Sequence, residues 1–170
     1  MDARLIVVRG PSGAGKSSVV EGIRAAYGRG VAWIEQDHVR RTVFQEKDEP
    51  GGANIAAISQ LAGLAMSRGF HTVVEGIMPT VRYGEMLGDL VGRYGGSAYV
   101  YYLDVPFDET VRRHATRAKA SAFDAAAMRE WYGGHDPLGL PGEVVIEADS
   151  TLDETVRRIL TETGLVAAAG

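Results

Sequence analysis

Eight consecutive residues place the strongest constraint on this chain: Gly10-Pro11-Ser12-Gly13-Ala14-Gly15-Lys16-Ser17, a complete G-x-x-x-x-G-K-[ST] pattern. Its flanks decide its meaning. Arg4-Leu5-Ile6-Val7-Val8-Arg9 before it is short, apolar and β-branched, which predicts a buried strand. After it, Val19, Val20, Ile23 and Tyr27 recur at helical spacing. A glycine turn between a strand and a helix is the context in which this pattern cradles phosphate. Gly10, Gly13 and Gly15 lack a Cβ, so the backbone can curl and turn its N–H groups onto phosphate oxygens. The helix N-terminus behind them adds a partial positive charge. Lys16 is placed for the β- and γ-phosphates, and the Ser17 hydroxyl for Mg²⁺. The residues expected to hold a nucleotide are Gly10, Ser12, Gly13, Ala14, Gly15, Lys16, Ser17 and Ser18.

The rest of the chain alternates strands with helices. A second strand is predicted over Val31–Gln36, a third over Phe70–Glu75, a fourth over Ala98–Leu103 and a fifth over Glu143–Glu147. Gln45–Gly52 is polar and turn-rich and reads as a mobile surface segment. Asn54 is expected to cap a helix whose apolar positions are Ile55, Ile58, Leu61, Ala62, Ala65 and Met66. The next helix, Thr80 to about Tyr94, would turn Val81, Tyr83, Met86, Leu87, Leu90 and Val91 inward. Further helices are expected from about Phe107 to Lys119, from Asp124 to Tyr132, and from Thr151 onward with Leu152, Val156, Ile159 and Leu160 on one face. Leu165–Gly170 reads as a loosely ordered tail. Tyr99, Tyr101 and Tyr102 read as core strand, without the interleaved basic residues of a base-stacking surface. Five strands separated by helices imply an α/β fold with a parallel sheet covered on both faces. In such sheets ligands sit at the carboxyl ends of the strands. Attention therefore falls on Gly10–Ser17, Asp37, Glu75 and Asp104.

Composition bounds the rest. At 170 residues and 45% apolar, the chain is the size of one domain, 1–170. Its net charge of −4 argues against nucleic acid as a partner. There are no cysteines, so disulfides and thiolate metal sites are excluded, which fits a cytoplasmic location. No apolar run approaches the roughly 18 residues of a membrane span, and the N-terminus lacks a signal-peptide pattern. The four histidines have no metal-ligand spacing and read as structural.

With these residues in view, the chain resembles the P-loop kinases of small molecules: gluconate-kinase-like, chloramphenicol-phosphotransferase-like and zeta-toxin-like proteins. Closer still, it looks like bacterial P-loop proteins labelled "kinase" or "uridine kinase". The segments that carry the likeness include Gly10–Ser18, Gln36–Arg41, Val73–Ile77, Arg82–Leu87, Tyr99–Tyr102, Arg112–Arg117 and Met128–Tyr132. The resemblance implies a three-layer fold with sheet order 2-3-1-4-5 and a small lid at about 118–141. It also implies ATP and Mg²⁺ as cofactors and transfer of the γ-phosphoryl group to a hydroxyl of a small-molecule acceptor such as a nucleoside, a sugar or an antibiotic. Alternatives of other classes are a polynucleotide or tRNA 5′-hydroxyl kinase and a nucleotide-gated or toxin-like module. Both a monomer and a homodimer fit.

Individual residues carry paired readings. Asp37, which in related kinases orients or deprotonates the acceptor hydroxyl, is also a plain helix N-cap. Glu75 falls at the Walker B position for Mg²⁺, or serves as the base, or is a solvated strand end. Arg113 and Arg117 lie four apart, hence on one helix face; in similar kinases such a pair closes over the nucleotide and the transferred phosphoryl, whereas the plain alternative is a solvated basic face. Arg40, Arg41 and Arg82 are candidate acceptor contacts or surface charges. The expected catalytic set is Lys16, Asp37, Arg113 and Arg117. Ser17 and Glu75 are expected at the metal, and Asp37, Arg40, Arg41, Glu75 and Arg82 at the acceptor.

Overall fold

A computed structural model describes residues 2–115, 129 and 132–165. Strand β1 (Leu5–Arg9) is buried along its whole length and lies at the centre of a five-stranded sheet. The other strands are β2 (Val31–Glu35), β3 (His71–Gly76), β4 (Ala98–Asp104) and β5 (Val144–Glu147). All pairings are parallel and the order is β2-β3-β1-β4-β5, as expected.

Side chains alternate across the sheet, and each face has its own core. Ile6 and Val8 point to the face where helices α1 (Lys16–Tyr27) and α6 (Leu152–Thr163) pack, with Val19, Val20, Ile23, Val73, Tyr101, Leu103 and Ile159. Leu5 and Val7 point to the opposite face, with Ile58 and Met66 of α3 (Ala53–Ser67) and Tyr83, Leu87 and Leu90 of α4 (Thr80–Tyr94). A short helix α2 (Gln36–His38) runs into a π-helical turn (Val39–Phe44), and α5 is Phe107–Ala115. The predicted continuation of α5 to Lys119, nearly all of the Asp124–Tyr132 helix and the last five residues lie outside the described residues.

Several expectations are corrected. Val81 is 83% exposed and Leu61 and Leu152 are also exposed, because each is at the edge of its helix's apolar stripe, where the sheet no longer covers it. Phe70 is exposed just ahead of β3. Leu165 is fully buried in the α1–α6 core and so belongs to the body of the fold. Asn54 is not the N-cap of α3. That position is Gly52, and the helix start is held from outside by Glu46, whose carboxylate accepts from the backbone N–H of Ala53 (3.0 Å) and Asn54 (2.6 Å). The 45–52 segment, expected to be mobile, is thus pinned to α3 through Glu46 and to α4 through Asp48, which accepts from Arg82 and Tyr83. Thr151 does cap α6, in a reciprocal capping box with Glu154.

Candidate functional site

The end of β1 turns directly into the phosphate loop. Gly10, Gly13 and Gly15 have φ of 149°, 80° and 101°, values open to glycine and strained for other residues. A Cβ on Gly10 would come within 2.6 Å of the Leu103 carbonyl oxygen, so this position admits no side chain. The loop delivers Lys16 and Ser17 to the first turn of α1. Lys16 is 8% exposed, and its Nζ donates to the Pro11 carbonyl at 2.9 Å, curled over the loop that would hold the phosphates.

Ser17 Oγ donates to Glu75 Oε1 at 3.0 Å, bringing together the two residues expected at a metal. Glu75 is 2% exposed. Burial pushes its carboxyl above the ordinary value, Lys16 and Ser17 pull it back, and Glu35 pushes it up again. The sequence reading did not single out Glu35. It ends β2 in direct register with Glu75, and strand alternation puts it on the same α1-facing side. The signal was available: two parallel strands ending in glutamate, with a serine of the loop helix facing them. A hydroxyl and two carboxylates of this kind are the hard oxygen donors that Mg²⁺ takes. The residues present therefore fit that ion. Among the described residues no cluster of three or more His, Asp or Glu forms a site held by protein ligands alone.

Two clefts share the loop. One, of about 330 Å³, is lined by Ala14, Gly15 and Ser18 together with Val105, Arg113 and Ser150. Here Arg113 donates to the Ala14 carbonyl (3.0 Å) and the Ala148 carbonyl (2.9 Å), and its Nε is held by Glu109 (2.7 Å). It thus clasps the loop to the segment after β5. Arg112 pairs with Glu109 on the exposed side. Arg117 lies outside the described residues.

The other cleft, of about 580 Å³, is bordered by Ser12 of the loop and by Asp37, Arg40, Arg41, Asp48 and Arg82. Asp37 lies in the helical turn after β2 and is half exposed. Its Oδ1 accepts from Arg40 Nη2 (2.8 Å) and Arg41 Nε (3.0 Å). Its side chain makes no N-cap bond; the N-cap of α2 is Glu35, without a side-chain cap. Arg82 Nη2 donates to Asp48 Oδ2 at 2.9 Å. Tyr83 reaches the same carboxylate at 2.6 Å and accepts from Gln36 Nε2 at 2.8 Å. Burial, then Asp48, holds the Tyr83 hydroxyl far above its ordinary pKa, so it stays a proton donor. Four of the five residues expected at the acceptor, Asp37, Arg40, Arg41 and Arg82, thus converge on one cleft. Glu75 is instead on the α1 side with Ser17.

Arg9 was missed altogether. It closes an apolar strand immediately before the loop and is 0% exposed. Its guanidinium donates to the Met78 carbonyl (3.1 and 2.8 Å), Thr80 Oγ1 (3.0 Å), the Asp136 carbonyl (2.9 Å) and Asp136 Oδ2 (3.1 Å). The Tyr102 ring lies 5.6 Å away. Burial lowers its pKa, Asp136 and Glu143 counter that, and guanidinium stays charged. Asp136 in turn accepts from the Thr80 backbone N–H at 2.9 Å, capping α4 from a distance. Tyr102 donates to the Gly134 carbonyl (2.9 Å) and accepts from the Asp136 N–H (3.0 Å), and His135 pairs with Asp104 at 2.7 Å. The stretch 134–136 is therefore fastened to the sheet, although the expected lid extends to 141. A charge in an otherwise apolar, doubly covered strand was the signal for Arg9. Its partners, more than sixty positions away, were not legible.

A family model described as an AAA domain matches residues 5–138, and the chain belongs to that family. No curated protein matches it in sequence. Among solved structures, it is similar to the APS kinase CysC of Mycobacterium tuberculosis in complex with AMPPNP and APS. That likeness has a TM-score of 0.71 at 18% identity, over 96% of this chain and 98% of that one. It is also similar to a gluconokinase from Sinorhizobium meliloti 1021 (0.67, 22%, over 95% and 91%). A third likeness is to the tunicamycin resistance protein of Deinococcus radiodurans (0.65, 14%, over 99% and 100%). The fold is that of the small-molecule P-loop kinases. Among the described residues no helix is long and apolar enough to cross a membrane.

Proposed function

We propose that the chain is an ATP- and Mg²⁺-dependent kinase that transfers the γ-phosphoryl group to a hydroxyl of a small molecule. It would act as one domain over residues 1–170, in the cytoplasm. The observation that carries this reading is the division of the phosphate loop between two clefts: Ala14, Gly15 and Ser18 border one, and Ser12 borders the other beside Asp37. A nucleotide in the first and an acceptor in the second would meet over the loop, which is what in-line phosphoryl transfer needs.

The roles follow from the residue types. The loop N–H groups bind phosphate oxygens, and Lys16 leaves the Pro11 carbonyl to neutralise the transferred group. Bound Mg²⁺ would supply further neutralisation of phosphate charge, held by Ser17 and Glu75 directly or through water, with Glu35 alongside. Asp37 takes the proton of the acceptor hydroxyl as its oxygen forms the new bond to phosphorus and ADP leaves. Arg113 positions the loop through Ala14, and Arg117 is the candidate second arginine over the phosphates. A lid at about 118–141 belongs to the same reading. A nucleoside, a sugar or an antibiotic-like compound fits the acceptor role. The fold of the neighbouring kinases and the AMPPNP bound in one of them support the reading.

The test is an acceptor screen by ADP release with Mg²⁺-ATP. Acceptor-dependent turnover in the wild type, abolished in Lys16→Ala and strongly reduced in Asp37→Asn, is the expected result. Turnover retained by Lys16→Ala overturns the assignment.

A further inference from the structure

The cleft beside Asp37 has too many donors for the acceptors it contains. Its lining carries three arginines and two aspartates, a formal +3 − 2 = +1, in a chain whose net charge is −4. A guanidinium offers five N–H donors. Arg40 uses Nη1 on the Glu46 carbonyl (3.2 Å) and Nη2 on Asp37. Arg82 uses only Nη2, on Asp48. The Nε–H groups of both are shielded from solvent with no partner among the described residues. Leaving a buried donor unmet is costly, so the arrangement is incomplete as it stands.

The acceptors already present are also committed. Asp48 divides its two oxygens between Arg82 and the Tyr83 hydroxyl. Asp37 concentrates two arginines on Oδ1, while Oδ2 accepts no hydrogen bond among the described residues. A ligand entering this cleft meets the side chains of Arg40 and Arg82, whose shielded Nε–H groups come within its reach as those side chains turn toward it. A neutral polyol, which brings its own hydrogens, satisfies them poorly; a carboxylate, sulfate or phosphate group satisfies them well, because its paired oxygens match the guanidinium fork.

Building on the kinase reading above, we propose that the phosphoryl acceptor is an anionic small molecule whose carboxylate, sulfate or phosphate group is bound by Arg40 and Arg82. Arg40 Nη2 also holds Asp37 Oδ1 at 2.8 Å, so an anion on Arg40 sets the rest of the ligand, with its hydroxyl, beside that carboxylate.

The experiment titrates sodium sulfate calorimetrically at constant ionic strength into two forms of the full chain: the AMPPNP-loaded wild type and the Lys16→Ala variant. In the first the nucleotide occupies the phosphate loop; in the second the loop has lost its cation, and any sulfate left on its N–H groups is told apart by its indifference to Arg40→Gln and Arg82→Gln. Saturable binding is expected in each form, weakened at least tenfold by Arg40→Gln and by Arg82→Gln, while thermal melting shows the variants folded. Non-saturable sulfate uptake, or binding indifferent to both substitutions, overturns the proposal. A matched pair then reads the source of the charge: D-gluconate against D-glucitol, and uridine 5′-phosphate against uridine, in the ADP-release assay. Preference for the charged member, lost in Arg82→Gln, supports the proposal. Equal or better use of the neutral member overturns it. Failure of AMPPNP to bind would strike the kinase reading alone, since the sulfate result in Lys16→Ala stands without it.

Discussion

The two clefts that share the phosphate loop are built from different materials. The Ala14–Ser18 side is shaped by backbone: three glycines at positive φ, a strand end and a helix N-terminus, all within one short run of sequence. The Asp37 side is shaped by side chains from the turn after β2, the 45–52 segment and α4, joined by ion pairs. Backbone geometry leaves little choice of ligand, because N–H groups around a curled loop bind phosphate whatever it is attached to. Ion-paired side chains can be exchanged without disturbing the fold, so under the kinase reading proposed above this second cleft would set the choice of acceptor.

The largest effect expected from breaking this division is on the backbone side. Lys16→Ala removes the cation that sits over the loop, and Mg²⁺-ATP turnover should fall by about 10³-fold or more. AMPPNP affinity, measured by calorimetry, should fall as well. Asp37→Asn is the counterpart on the side-chain cleft. It should lower acceptor-dependent turnover by about 10²-fold or more while leaving AMPPNP affinity within a factor of about two. Equal losses of nucleotide affinity in both variants would show that the two clefts are not separable.

Arg9 lines neither cleft but ties β1 to the 78–80 loop and the 134–136 stretch. A fully buried cation is tolerated only with its partners in place. Arg9→Met leaves the Met78 and Asp136 carbonyls without their donor, and should cost about 2–3 kcal/mol in the free energy of unfolding by urea. Asp136→Asn, which keeps the shape and loses the charge, should cost less, and the double variant should fall short of the sum of the two. Full additivity would mean that the pair does not act as a unit.

The same division explains what could be read from the sequence. Strand positions and the whole loop followed from local patterns: apolar runs of strand length, a glycine spacing and helical periodicity; the sheet order came only from the likeness to P-loop kinases. The arginines and the aspartate that line the second cleft were legible as types and places, since Asp37, Arg40, Arg41 and Arg82 all follow strand ends or begin a helix. Their mutual arrangement was not. Nothing near Gln45–Gly52 announces that Asp48 holds Arg82 and Tyr83, or that Glu46 holds the start of α3, because both depend on pairings across the fold. Turn-rich polarity looks the same whether a segment is loose or is fastened by two carboxylates. Val81 failed for a related reason: helical periodicity defines a stripe, but only the packing partners define its width.

Glu46 gives the finest test of that point, since a loose segment would show no such dependence. Its carboxyl is held below the ordinary value, first by the Asn54 backbone N–H, then by the Asn54 side-chain amide, with Ala53 N–H and Arg40 adding smaller pulls. A carboxyl whose pKa is lower in the folded chain than in the unfolded one binds fewer protons when folded. Its stabilising contribution is therefore fully present above the ordinary value of 4.5 and is lost as the pH falls through the depressed one. Glu46→Gln keeps an acceptor oxygen for the α3 amides and removes the charge. The wild type should melt higher than this variant at neutral pH, by a small margin that shrinks to nothing as the pH is taken down below that window. Because Asn54 also lies 3.0 Å from the Tyr83 hydroxyl, the loss should reach the Asp37 cleft and leave nucleotide affinity alone. A melting difference that stayed constant from pH 7 to pH 3 would mean that the carboxylate charge plays no part in holding the segment.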